Sequence, residues 1–130
     1  KFDIAILYNV VNHLNEEHVT TLHHSEDSKK IFIELLTNFK KILKPGSDVI
    51  VGDVSSKNFW NSIGLKSPFA PSIEWNKHQT PEVWKYIFES SGFKWINTRW
   101  SPLYPLGIIS TNKLVQYFTM SHFVMHFKSL

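Results

Sequence analysis

Cysteine is absent from the 130-residue chain. That excludes disulfides, thiolate metal sites and cysteine nucleophiles, and it suits a reducing compartment, expected here to be the cytoplasm. Arginine is almost absent: Arg99 stands alone beside thirteen lysines. The lysines are scattered, the one short cluster is Lys40, Lys41 and Lys44, and the formal net charge is only +3. A nucleic-acid partner calls for a basic stripe, so none is expected. No apolar run reaches the roughly 18 residues of a membrane span, and no basic start leads into an apolar stretch as in a secretion signal. Membrane association is therefore not expected. Glycine is sparse and isolated, at 46, 52, 64, 92 and 107. The phosphate-cradling G-x-G-x-x-G loop does not occur.

What remains is a globular composition, 42% apolar and 19% charged, in a chain long enough to bury one core. Ten Phe, five Trp and four Tyr supply much of the apolar surface. Phe2 to Tyr8 is a nearly continuous apolar run, as in a strand covered on both faces. Asn9 to Leu14 starts a short helical segment, and Glu16 to Glu26 reads as loop. Asp27 to Leu43 has the helical period, with Ile31, Leu35, Phe39 and Ile42 on one stripe flanked by Phe32, Leu36 and Leu43. Ser25 or Asp27 caps its start, and Lys44-Pro45-Gly46 stops it. Asp48 to Val54 is a second buried strand, so the first crossover joins two parallel strands.

The stretch Ser55 to Gln79 is a long connection, of the kind that is functional or holds small helices. Thr80 and Pro81 open a second helix with Val83, Trp84, Ile87 and Phe88 as its buried face, and Gly92 occupies a left-handed cap. Phe93 to Trp100 is the third strand. Asn112 to Phe118 is helical, and Ser121 to Lys128 is the last strand, with Phe123, Met125 and Phe127 opposite His122, Val124 and His126.

This order, and four stretches of wording, resemble the second half of the class I S-adenosylmethionine-dependent methyltransferases. Phe2-Asp3-Ile4-Ala5-Ile6-Leu7-Tyr8-Asn9-Val10-Val11-Asn12-His13-Leu14 is similar to the family's fourth strand and the turn that a His-Leu pair closes. Leu43-Lys44-Pro45-Gly46-Ser47 and the strand after it resemble the family's "LKPGG" turn and fifth strand, with Ser47 in place of the second glycine. Ser91-Gly92-Phe93 resembles its "aGF" junction, and Tyr117 to Lys128 its seventh strand. The resemblance covers nearly the whole chain. It implies a Rossmann-like α/β sheet of two parallel strands followed by an antiparallel pair, flanked by helices, in the spatial order first, second, fourth, third. The family's first three strands, glycine-rich loop and ribose-binding acid would precede Lys1. Residues 1–130 are accordingly expected to form a single partial domain with an unprotected edge at Phe2 to Tyr8.

Ligands of open α/β sheets sit beyond the carboxyl ends of the parallel strands. That rule selects Tyr8 to His13 and Asp53 to Trp60. The resemblance adds S-adenosylmethionine as cofactor, with Tyr8, Asn9 and Val10 beside its methionine end. Tyr8 suits a cation–π contact with a sulfonium or a place in the core; Asn9 suits a ligand or a helix cap. His13, matching the family's His-Leu pair, is the candidate catalytic base. Asp53 either orients an acceptor or caps the following turn. Trp75 and His78, with Trp60 behind them, are the substrate-side candidates, against a reading in which the tryptophans cover helix and sheet. Arg99 suits a substrate anion or a surface ion pair. His18, His23 and His24 share a loop and His122 and His126 a strand face, but neither set has recognised ligand spacing, and no metal is expected.

Three functions compete. The first is a methyltransferase acting on a small molecule. The second is a catalytically silent half-domain that binds the missing amino-terminal half or a second copy of the chain. The third is another doubly wound nucleotide enzyme, which the Lys-Pro-Gly turn and the final hairpin disfavour.

Overall fold

A computed structural model describes residues 1–130. The opening apolar run forms β1 (Phe2–Tyr8). A short 3-10 turn over Val11–His13 follows, then α1 (Glu16–Val19), where a loop was expected. Its four residues are too few to show a period, but Asn15 caps it by accepting from the His18 N–H at 3.1 Å.

α2 (Glu26–Lys40) starts one residue before Asp27. Ser25 is its cap, accepting from the Ser28 N–H at 3.2 Å. Phe32 and Leu36 form its buried stripe. The helix ends earlier than the periodicity suggests. Ile42 is exposed, and Leu43 already belongs to β2 (Leu43–Val54). Lys44-Pro45-Gly46 therefore does not precede the second strand. It forms a bulge inside it: Phe2 pairs with Leu43, but Ile4 pairs with Asp48. Beyond the bulge β1 and β2 run parallel in register to Tyr8 opposite Gly52.

The long connection contains α3 (Phe59–Ser62) and a 3-10 turn over Trp75–Lys77. α4 (Pro81–Ser90) begins at Thr80, whose carbonyl accepts from Val83 and Trp84 while its hydroxyl makes no cap bond. Trp84, Ile87 and Phe88 are fully buried. Gly92, at φ +85°, turns the chain into β3 (Phe93–Trp100). A register shift between Trp95 and Asn97 breaks the simple alternation there. α5 (Lys113–Phe118), capped by Asn112, leads to β4 (His122–Ser129).

The sheet has the order β1-β2-β4-β3, with β4 antiparallel to both neighbours, as expected. Its core lies on one face. Val49, Val51, Phe123, Met125 and Phe127 meet Phe32 and Leu36 of α2 and Trp84, Ile87 and Phe88 of α4. Phe88 stacks on Phe127 with ring centres 4.5 Å apart. The opposite face is open along β1, where Ile4 and Ile6 are 60% and 67% exposed. The continuous apolar run had implied cover on both faces. No helix is long and apolar enough to cross a membrane.

Candidate functional site

At the carboxyl ends of the parallel pair the two selected stretches emerge side by side. The Asn9 N–H donates to the Gly52 carbonyl at 2.7 Å, one step past the Tyr8–Gly52 pairing. Gly52 is required by what crosses it. A Cβ built there would fall 2.5 Å from Tyr8 Cδ2, so only hydrogen leaves room for the ring. Over that gap Tyr8 reaches His122 of β4, ring centres 5.1 Å apart. Tyr8 is 54% exposed and is not a core tyrosine.

Asn9 adopts φ +52°, a left-handed conformation that asparagine tolerates better than most residues. It is not the helix cap. Val10 holds that position without a side-chain bond, and the Asn9 amide has no partner within the chain. Tyr8 and Asn9 instead line a cavity of about 190 Å³ with Ser101, Leu103, Met120 and His122.

Asp53 closes β2 on the helical face and is completely buried. Three donors converge on its carboxylate: His78 Nδ1 at 2.9 Å, Trp84 Nε1 at 3.2 Å and the Val54 N–H at 2.8 Å. Both oxygens are engaged and neither reaches the surface. Asp53 is not merely a turn cap. His78 arrives there from the loop before α4, and its side chain is 12% exposed. It lines a cavity of about 290 Å³ with Trp75, Thr20, His23, Ser56 and Asn76. The Trp75 indole N–H is buried without a partner.

The other expected residues lie apart. Trp60 donates its indole N–H to the Phe118 carbonyl at 2.9 Å and packs edge-on against Phe59. His13 is at the surface, its Nδ1 2.7 Å from Glu16 Oε1, and Lys77 bonds the other Glu16 oxygen at 2.9 Å. These bonds, His13 first, hold the Glu16 carboxyl below its ordinary range. Arg99 is exposed and pairs with no carboxylate. The histidines considered for a metal have other partners. His23 and His24 bond each other, His18 meets Ser28, and His126 meets Asp48.

Two features escaped the sequence. His122 is buried, with Nδ1 2.7 Å from Ser101 Oγ and Nε2 unpartnered. Burial pushes its pKa below the usual histidine value, against the pull of the Asp53 charge. The strand alternation placed it on a face but gave no sign that the Ser101 segment covers it. The second is a cleft of about 490 Å³ between the start of α4, the end of β3 and α5, lined by Trp100, Leu114, Tyr117, Lys57 and Lys113. Its volume is that of a small-molecule site. Residues so far apart in sequence carry no common pattern.

No protein-family model matches the chain, and no curated protein sequence does. Among solved structures it is similar to a SAM-dependent methyltransferase from Methanosarcina mazei, with TM-score 0.56 and 14% identity. The match covers 99% of this chain and 59% of that one, so residues 1–130 span well under two thirds of that protein's length. The likeness is one of fold: a four-stranded mixed α/β sheet resembling part of a methyltransferase domain.

Proposed function

We propose that residues 1–130 form the carboxyl-terminal half of an S-adenosylmethionine-dependent methyltransferase domain and carry its acceptor side. The observation that supports this most is the placement of Tyr8–His13 and Asp53–Trp60 next to each other at the carboxyl ends of neighbouring parallel strands. That edge is where an open α/β sheet takes its ligand.

The residues present suit one end of the cofactor. Tyr8 offers an exposed ring to a sulfonium, and Asn9, with Val10 beside it, offers an uncommitted side-chain amide to the amino-acid end. The ribose and adenine ends would need the absent glycine-rich loop and acid. When bound, the cofactor supplies an electrophilic methyl group; the chain's part is to hold and orient the acceptor. His78 and Trp75, with Asp53 behind His78, are assigned to a small-molecule acceptor. Trp60 supports α5 from behind. His13 is assigned to the surface network with Glu16 and Lys77 in place of a direct catalytic part.

A second reading, a silent half-domain that works by assembly, draws on the bare apolar strand β1. The same surface suits the amino-terminal half of the domain or a second copy of the chain. Calorimetric titration of the full-length protein with S-adenosylhomocysteine separates the two. Binding that weakens at least tenfold in Asn9→Ala supports the enzyme; no binding by the folded protein supports the assembly module.

A further inference from the structure

We infer that Asp53 and His78 form a proton-accepting pair that serves an uncharged hydroxyl acceptor, an inference that rests on the methyltransferase reading. The geometry carries it. A carboxylate at the end of β2, wholly buried, fixes an imidazole by its Nδ1 at 2.9 Å. In a neutral ring held this way Nδ1 bears the hydrogen and Nε2 keeps its lone pair. Nε2 makes no hydrogen bond within the chain, and the ring lines the 290 Å³ cavity. A buried orienting group, an imidazole and an open cavity are the parts of a general base.

The cavity also selects the acceptor. No lysine, arginine or carboxylate lines it; Ser56, Thr20, Asn76 and the Trp75 ring do, with His23 the other titratable group. An anion would find no fixed counter-charge and a cation no carboxylate. A hydroxyl on a flat or apolar body finds a lone pair at His78 and a ring wall at Trp75, whose N–H is still unpartnered. Charges on the surrounding elements are accounted for. Asp53 comes from β2, and Lys77 in the adjacent turn is bonded to Glu74 and Glu16. His122 of β4 lies within reach of the Asp53 charge, and α4 contributes the apolar Val83. A bound sulfonium donor would supply the methyl group to the hydroxyl oxygen, its carbon–sulfur bond breaking with the electron pair left on sulfur. The chain's own part is to hold the hydroxyl and take its proton. The hydroxyl proton goes to His78 Nε2, and Asp53, a positioning residue, stabilises the imidazolium.

The test uses the full-length protein and begins without cofactor. Imidazole ¹⁵N NMR should show His78 as the Nδ1–H tautomer. Phenol should move its Nε2 signal, and benzoate at the same concentration should not. With methyl transfer to phenol as the assay, His78→Gln should lower kcat by about 10²–10⁴ with KM changed only a few-fold, and should abolish the acid limb of the pH–rate profile. Circular dichroism should show the variant folded at the assay temperature, with a melt a few degrees below the parent because one donor to Asp53 is lost. An Nε2–H tautomer, an Nε2 signal indifferent to phenol, or an unchanged acid limb in His78→Gln would overturn the inference. The tautomer readout needs no variant, so a misfolded mutant does not rescue the idea. Failure of the full-length protein to bind S-adenosylhomocysteine, with tautomer and phenol response as expected, would instead sink the methyltransferase reading and leave the pair as a base for other chemistry.

Discussion

Three donors share one buried carboxylate at Asp53, and the His78 Nδ1 and Trp84 Nε1 donors have no other acceptor in the chain. Asp53→Asn keeps the shape but turns one oxygen into a donor facing donors. Each stranded buried group costs about 1–3 kcal/mol, so the variant should melt several degrees below the parent by circular dichroism. His122 gives a pH dependence of definite sign. Its folded pKa lies below the unfolded value because burial disfavours the charged ring. Its contribution is therefore intact above about pH 6.5 and is lost as the pH falls below that value. Urea unfolding at pH 7.5 and 5.5 should show lower stability at pH 5.5, with the difference reduced in His122→Phe. Some of this chemistry was legible in the sequence. Asp53 and His78 stood out individually, one at a strand end and one in a loop before a helix. Their contact spans 25 positions and follows from tertiary packing, which no local pattern encodes. At His13 the wording matches a family motif, and the structure places the side chain at the surface on Glu16, three residues away.

Periodicity served well where an element is long and one face is dry. α2 and α4 were readable because Phe32, Leu36, Trp84, Ile87 and Phe88 repeat at helical spacing and are buried. α1 was not, since four residues make barely one turn. The Lys44-Pro45-Gly46 stretch misled for a different reason: a Pro-Gly pair reads as a terminator, whereas here the backbone bulges and pairing resumes at Asp48. The packing of α4 on β4 should dominate stability at this scale. Phe88 is fully buried against both Phe93 and Phe127, so Phe88→Ala should cost about 3–5 kcal/mol. Ser25→Ala, which removes only the α2 cap, should cost about 1 kcal/mol. Chemical denaturation of the two variants side by side checks the ranking.

At the scale of the molecule, the crossover rule accounts for the parallel pair β1 and β2. The place of β4 between β2 and β3 was implied only by the family resemblance, since the 21 residues between Trp100 and His122 are too many to dictate a pairing. The open face did not follow. Alternating and continuous apolar runs both signal strands, but cover on the second face depends on what else packs there, and Ile4 and Ile6 remain bare. An exposed edge strand with apolar side chains pairs readily with another chain. Residues 1–130 expressed alone should self-associate with rising concentration in size-exclusion chromatography, and Ile6→Lys should move the elution toward monomer.

The account stands on the strand ends Tyr8–His13 and Asp53–Trp60 forming one wall of a cofactor cleft. Amide NMR of the full-length protein during titration with S-adenosylhomocysteine tests it. Saturable shifts at Tyr8, Asn9 and Val10 are expected, with smaller ones at Asp53 and the residues after it. Binding that leaves those signals still and moves only residues at the far end of the sheet, near Phe2 and Leu43, would contradict it.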